Sequence, residues 1–129
     1  MAATPQALAD LTEISTQIEA AVVFDREGTV VAATVDDEKA GRLAGFALEL
    51  FRAAEAHGPK AAELAQLDVA LKDGGVFVVR HEDRLIAATT TPEPTVGLVF
   101  YDLKTCLRGL GEEEPEPQRA KAAEPDETP

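Results

Sequence analysis

The residue types that could do acid–base, nucleophilic or metal chemistry are few in this chain, and they stand at spacings that chemistry does not use. His57 and His81 are its two histidines and Cys106 its single cysteine. The histidines lack the HExxH arrangement that puts two ligands on one helical face. One cysteine excludes an intrachain disulfide and a cysteine-rich zinc site within one chain. His57 falls where a long helix is expected to end, a place where imidazole faces the negative end of the helix dipole. His81 falls at a strand end, and Cys106 one position from the apolar face of a last helix, as a buried or half-buried structural thiol. The carboxylate pairs have local explanations too: Asp36 and Asp37 suit a helix N-terminus, and Glu82 and Asp83 a hairpin turn. A phosphate-gripping GxxxxGK[ST] loop is missing, since Gly58-Pro59-Lys60 stands at a helix stop. Gly74 and Gly75 after Asp73 are accounted for by a hairpin. No catalytic, cofactor-binding or metal-ligating residue is therefore expected, and the chain reads as non-enzymatic.

The elements around these residues follow from hydrophobic periodicity. Thr4 can cap a first helix opened by Pro5, with Leu8, Leu11, Ile14 and Ile18 at helical spacing. The segment AVVFDREGTVVAATV then gives two β-branched runs around Asp25, Arg26, Glu27 and Gly28, a hairpin with Gly28 in the left-handed position. Both runs are apolar on alternate faces, so the strands must be covered from both sides. Asp36 or Thr34 can cap a long helix that stops at Gly58 and Pro59. Three strands follow: one with Leu67, Val69 and Leu71; then VFVVRH; then LIAATTT. Thr95 caps a closing helix marked by Val96, Val99, Phe100, Leu103, Leu107 and Leu110. The order is α, β, β, α, β, β, β, α. Two hairpin-linked groups joined by one long helix imply an α+β fold: a five-stranded antiparallel sheet, the long helix on one face and the terminal helices on the other.

Composition bounds the partners. With 12 Lys and Arg against 24 Asp and Glu, the formal charge of -12 repels nucleic-acid phosphate and anionic lipid alike. No apolar run approaches the roughly 18–20 residues of a membrane span, so neither membrane insertion nor nucleic-acid binding is expected. The first ten residues lack the pattern of a secretory signal, and with the single cysteine this points to the cytoplasm. Residues 111–129 carry a net charge of -5, half of the prolines and no Val, Ile, Leu, Phe or Tyr. Such a segment buries too little apolar surface to offset its ordering entropy. The expected division is a folded domain over 1–110 and a disordered acidic tail over 111–129.

One feature of the long helix has no local explanation. At about 100° per residue, Leu43, Phe46, Ala47, Leu50, Phe51 and Ala54 form an apolar arc expected to face the sheet. Gly41, Gly45, Leu48 and Arg52 fall on roughly the opposite side, and each interior glycine costs about 1 kcal/mol relative to alanine. Solvent alone would favour Ala, Lys or Glu there. A row of small residues beside an outward leucine lets another backbone approach, so this stripe is expected to pack against a second chain.

The succession of the hairpin VVFDREGTVVAAT, the helix AGRLAGFALELFRAAE, the strands LDVALKDGGVFVVRHEDRLIAATTT and the closing TVGLVFYDL resembles the roadblock/dynein light chain domain, over roughly residues 5–110. The resemblance implies dimers in which the long helices and the middle strands of two subunits meet. It implies service as a platform for Ras-like small GTPases, some members stimulating hydrolysis and others only holding complexes together. The resulting expectation is a homodimeric regulator or scaffold that binds a Ras-like small GTPase, with Arg42 and Arg52 the charged residues best placed for that contact. The alternatives are an assembly module without effect on hydrolysis and a small-ligand sensor.

Overall fold

A computed structural model describes residues 5–56 and 65–113 of the chain. Its elements are α1 (Gln6–Ile14), β1 (Ile18–Asp25), β2 (Val30–Ala33), α2 (Asp37–Glu55), β3 (Gln66–Leu71), β4 (Gly74–His81), β5 (Arg84–Thr90) and α3 (Val96–Glu113). The five strands form one antiparallel sheet in the order β2-β1-β5-β4-β3. The element order, the sheet and the placement of helices on both faces are those expected from the sequence. Thr4, His57, the Gly58-Pro59 stop, Lys60 and residues 114–129 of the expected tail lie outside the described residues. α3 itself continues through Glu113, past Leu110.

The period-two side-chain alternation of strands builds two cores from one sheet. Ala21 and Val23 of β1, Ile86 and Ala88 of β5, and Phe77 and Val79 of β4 face α1 and α3, where they meet Leu8, Leu11, Val99, Leu103 and Leu110. The alternate residues Val22, Phe24, Leu85, Ala87, Val76 and Val78 face α2. Registers such as Val23↔Ile86 and Val79↔Ile86 keep each set level across the sheet. A one-residue slip would send each set to the wrong helix layer.

Local chemistry fixes the turns. The Asp25 carboxylate accepts from the backbone N–H of Glu27 at 2.9 Å and of Thr29 at 3.0 Å, closing the β1–β2 hairpin. Gly28 takes the expected left-handed conformation, φ 91°. Asp36, not Thr34, caps α2: its Oδ1 accepts from the Lys39 N–H at 2.9 Å. Thr34 instead ties β2 to β1, its Oγ1 accepting from the Ala21 N–H at 2.9 Å. Asp36→Ala is expected to cost about 1 kcal/mol of stability, read as a lowered urea midpoint with unchanged slope. An unchanged midpoint would show that the cap contributes nothing to α2.

Three expectations are corrected. Ile18 belongs to β1 and not to the first helix, which ends at Ile14 and leaves that side chain 71% exposed. The β3–β4 turn is made by Lys72 and Asp73, because Leu71 pairs with Gly74. Gly74 is needed for a different reason, since a Cβ there would collide with the Thr90 carbonyl oxygen of β5. The third concerns the rotation of α2. Its buried face is Ala40, Ala44, Ala47 and Phe51, while Phe46 is 43% exposed. The sheet beneath already presents Phe24, Leu85 and three valines, so alanines let the helix lie close and the larger residues move to its flanks. Relative to the arc of large apolar residues, the helix is turned by about 70°.

Candidate functional site on the outer face of the long helix

The rotation of α2 decides which residues can meet a partner. Gly41 and Gly45 are exposed, and a Cβ added to either would meet nothing within 4 Å. Neither glycine is required by the fold of a single chain. Leu48, expected beside them, turns inward: it is half-buried against the α2 core, with its Cδ2 3.3 Å from the Cβ position of Gly28. The reason is geometric, because Leu48 follows Ala44 by four residues and sits over the β1–β2 turn. Phe46, assigned by sequence to the core, takes the outward place beside Gly45, with Leu43 and Leu50 half-buried along one margin. The available signal for this was the alanine spacing at 40, 44 and 47, which marks the tightly packed face.

The two arginines are held differently. Arg42 Nη1 donates to Glu38 Oε2 at 2.9 Å, an i,i+4 pair in which both side chains are largely exposed. Such a pair is worth about 0.3–0.5 kcal/mol and yields readily to a competing anion. Arg52 Nη2 donates to the Arg26 carbonyl oxygen at 3.0 Å, which fixes its guanidinium against the β1–β2 turn at the lip of a cavity of about 100 Å³ bordered by Leu48, Phe51 and Leu85. Beneath that lip, Arg80 Nη1 donates to Glu55 Oε2 at 3.0 Å while its guanidinium lies 5.6 Å from the Phe51 ring centroid. This half-buried pair pins the end of α2 to β4.

Among the described residues, those able to do chemistry are not assembled. Cys106 is buried between α3 and α1, its Sγ 3.5 Å from the Ala7 carbonyl oxygen. His81 is exposed at the end of β4, its Nε2 3.8 Å from Glu82 Oε2. Among the described residues, no three His, Cys, Asp or Glu stand close enough together to hold a metal ion. Nor is any helix among them long and apolar enough to cross a membrane. What the surface offers is an open helix face and, at the sheet margin, the outer edge of β3, where Leu71 is 50% exposed.

Residues 6–91, from the start of α1 to the end of β5, match the family model described as the Roadblock/LC7 domain. The chain belongs to this family. No curated protein sequence matches it. Among solved structures, the roadblock chain is similar to a Roadblock/LC7 domain from Streptomyces avermitilis, with a TM-score of 0.74 at 18% identity over 85% of this chain and 97% of that one. It is also similar to the gliding protein MglB from Thermus thermophilus, with a TM-score of 0.66 at 17% identity over 78% of this chain and 80% of that one. Myxococcus xanthus MglB gives a TM-score of 0.66 at 12% identity, covering 80% and 87% of the two chains. At these identities the likeness establishes the shared roadblock fold.

Proposed function

We propose that this roadblock domain is a non-enzymatic homodimer that binds a Ras-like small GTPase, as a regulator or scaffold. Roadblock proteins are generally regulators or scaffolds rather than enzymes. The observation that carries the reading is the outward face of α2, where Gly41 and Gly45 leave open space beside the exposed ring of Phe46. Exposed glycines in a helix lower its stability, and close approach of a second helix is what compensates them. Two α2 helices meet there about a two-fold axis, and the outer edge of β3 pairs with its copy to continue the sheet.

The GTPase docks on the composite surface so formed, with Arg42 and Arg52 at its margin. Arg52, fixed by the Arg26 carbonyl, presents a preorganised charge to an acidic segment of the GTPase. Any stimulation of hydrolysis acts by contact with the switch region, because the sequence carries no GxxxxGK[ST] motif to grip a nucleotide itself. Retention of a Ras-like GTPase on the immobilised full chain, with GTP and GDP analogues compared, tests the proposal. Nucleotide-dependent retention is expected, and absence of retention in both states would overturn it. Arg52→Ala should weaken the contact by about 1.5–3 kcal/mol, roughly ten- to a hundredfold in Kd. An unchanged Kd would remove Arg52 from the docking surface. A single-turnover hydrolysis assay then separates a regulator from an assembly module.

A further inference from the structure

Most of the large exposed apolar side chains do not lie on the α2 side at all. Ile14 of α1 is 71% exposed, and Val96, Leu98 and Tyr101 of α3 are 44%, 49% and 65% exposed, all on the helix layer across the sheet from α2. Between the two helices runs a groove of about 190 Å³, floored by Leu11, Cys106 and Gly109, walled by Ile14, and bordered by Asp10 and Asp102. Small residues open it: a Cβ at Gly109 would stand 3.5 Å from that of Ala7, so the helices pack closely there without filling the space above. Asp10 is steadied on its rim by Gln6, whose Nε2 donates to Asp10 Oδ1 at 2.7 Å.

We propose that the α1–α3 groove is a docking site for a basic amphipathic helix of a partner protein. A trough between two packed helices takes the side-chain ridge of a third, read as apolar anchors at i, i+3 and i+4. Leu11 and Ile14 supply the apolar contacts within the groove, and the exposed Leu98 and Tyr101, one helical turn before the lining residues Asp102 and Thr105, extend them along α3. Asp10 and Asp102, one on each wall, select Lys and Arg on the flanks of the incoming helix, and the overall charge of -12 steers it toward the domain. An acidic or neutral helix would leave both carboxylates facing like charges or apolar groups. The site lies away from the α2 face and does not depend on the GTPase reading.

Tyr101 makes the proposal directly readable, because it is the one tyrosine of a chain without tryptophan. The full chain is titrated with a synthetic Leu–Lys amphipathic helix lacking aromatic residues, and with its Leu–Glu counterpart, following tyrosine emission. A saturable change with the Leu–Lys peptide alone is expected. The Asp10→Lys/Asp102→Lys protein should bind it at least about tenfold more weakly, as should Leu98→Ser. Glu27→Lys/Asp83→Lys, the same charge change on two exposed turns, should stay within about twofold of the unsubstituted chain. Equal weakening in both double variants would reduce the effect to net charge and overturn the proposal. So would the absence of any saturable change with the Leu–Lys peptide, or an equal change with the Leu–Glu peptide.

Discussion

The Gly45→Glu protein is expected to sediment as a monomer with native secondary structure, at concentrations where the proposal has the unsubstituted chain dimeric. Apart from the helix's own adjacent backbone, no atom of the described residues lies within 4 Å of the position the new Cβ would take, so the fold of a single chain sets no steric bar to a Cβ there. Glutamate is also the better helix former, by about 0.5–1 kcal/mol, so the isolated domain should unfold at slightly higher temperature. In the dimer, the carboxylate must be buried against the other copy of α2 or displace it. That costs at least about 3 kcal/mol of association, roughly a hundredfold in Kd. Stability and association thus move in opposite directions, which a simple folding defect cannot imitate. GTPase retention should fall with the dimer. A Gly45→Glu protein that remains dimeric and retains a GTPase bound by the unsubstituted chain would place the working surface elsewhere, and would remove the proposed role of the glycines.

Phe77→Ala should produce the largest loss of folding stability among single truncations of this domain, about 3–5 kcal/mol. The ring is 2% exposed on the α1–α3 side of β4 and meets Phe100 of α3 edge-to-face, with centroids 5.0 Å apart and an interplanar angle of 69°. Its removal opens a cavity between sheet and helix and also deletes an aromatic pair worth about 0.5–1.5 kcal/mol beyond the buried area. Urea unfolding at equal protein concentration measures it. A loss below about 1.5 kcal/mol would mean that α3 can close over the gap and that the layer is less firmly packed than its burial indicates. Phe46→Ala provides the contrast. Its ring lies on the outer face of α2, so monomer stability should change by less than about 0.5 kcal/mol while dimer affinity drops.

The Phe46 and Phe77 pair also divides what local sequence can reveal from what it cannot. Phe77 stands in VFVVRH, a run apolar on both alternating faces, and such a run is buried whichever way its strand is turned. The hairpin at Gly28, a cap at Asp36 or Thr34 and the succession of helices and strands are legible for the same reason: each rests on φ preferences, capping hydrogen bonds or periodicity within a few residues. The exclusion of a phosphate loop and of a cysteine-based metal site is equally local, since both require particular residues at fixed spacing.

The rotation of α2 is a different kind of fact. Choosing the arc that gathers most large apolar residues gives Phe46 to the core and Leu48 to the surface, whereas the structure exchanges them. The choice is made by volume, because Phe24, Leu85, Val76 and Val78 already fill the space under the helix, and only Ala40, Ala44 and Ala47 allow it to approach. Gly74 is similar: the sequence accounts for it as a turn residue, but the close passage of the Thr90 carbonyl is what forbids a side chain. The α1–α3 groove was not legible at all, because Asp10, Ile14, Asp102 and Cys106 are joined only when the first and last helices are laid side by side on the sheet. By itself the sequence determined the elements, their order and the glycines that no single chain requires. Which face of each helix the sheet consumes, and so which residues remain for partners, was decided by the packing of side chains distant in sequence, where volume and close contact outweigh hydrophobic periodicity.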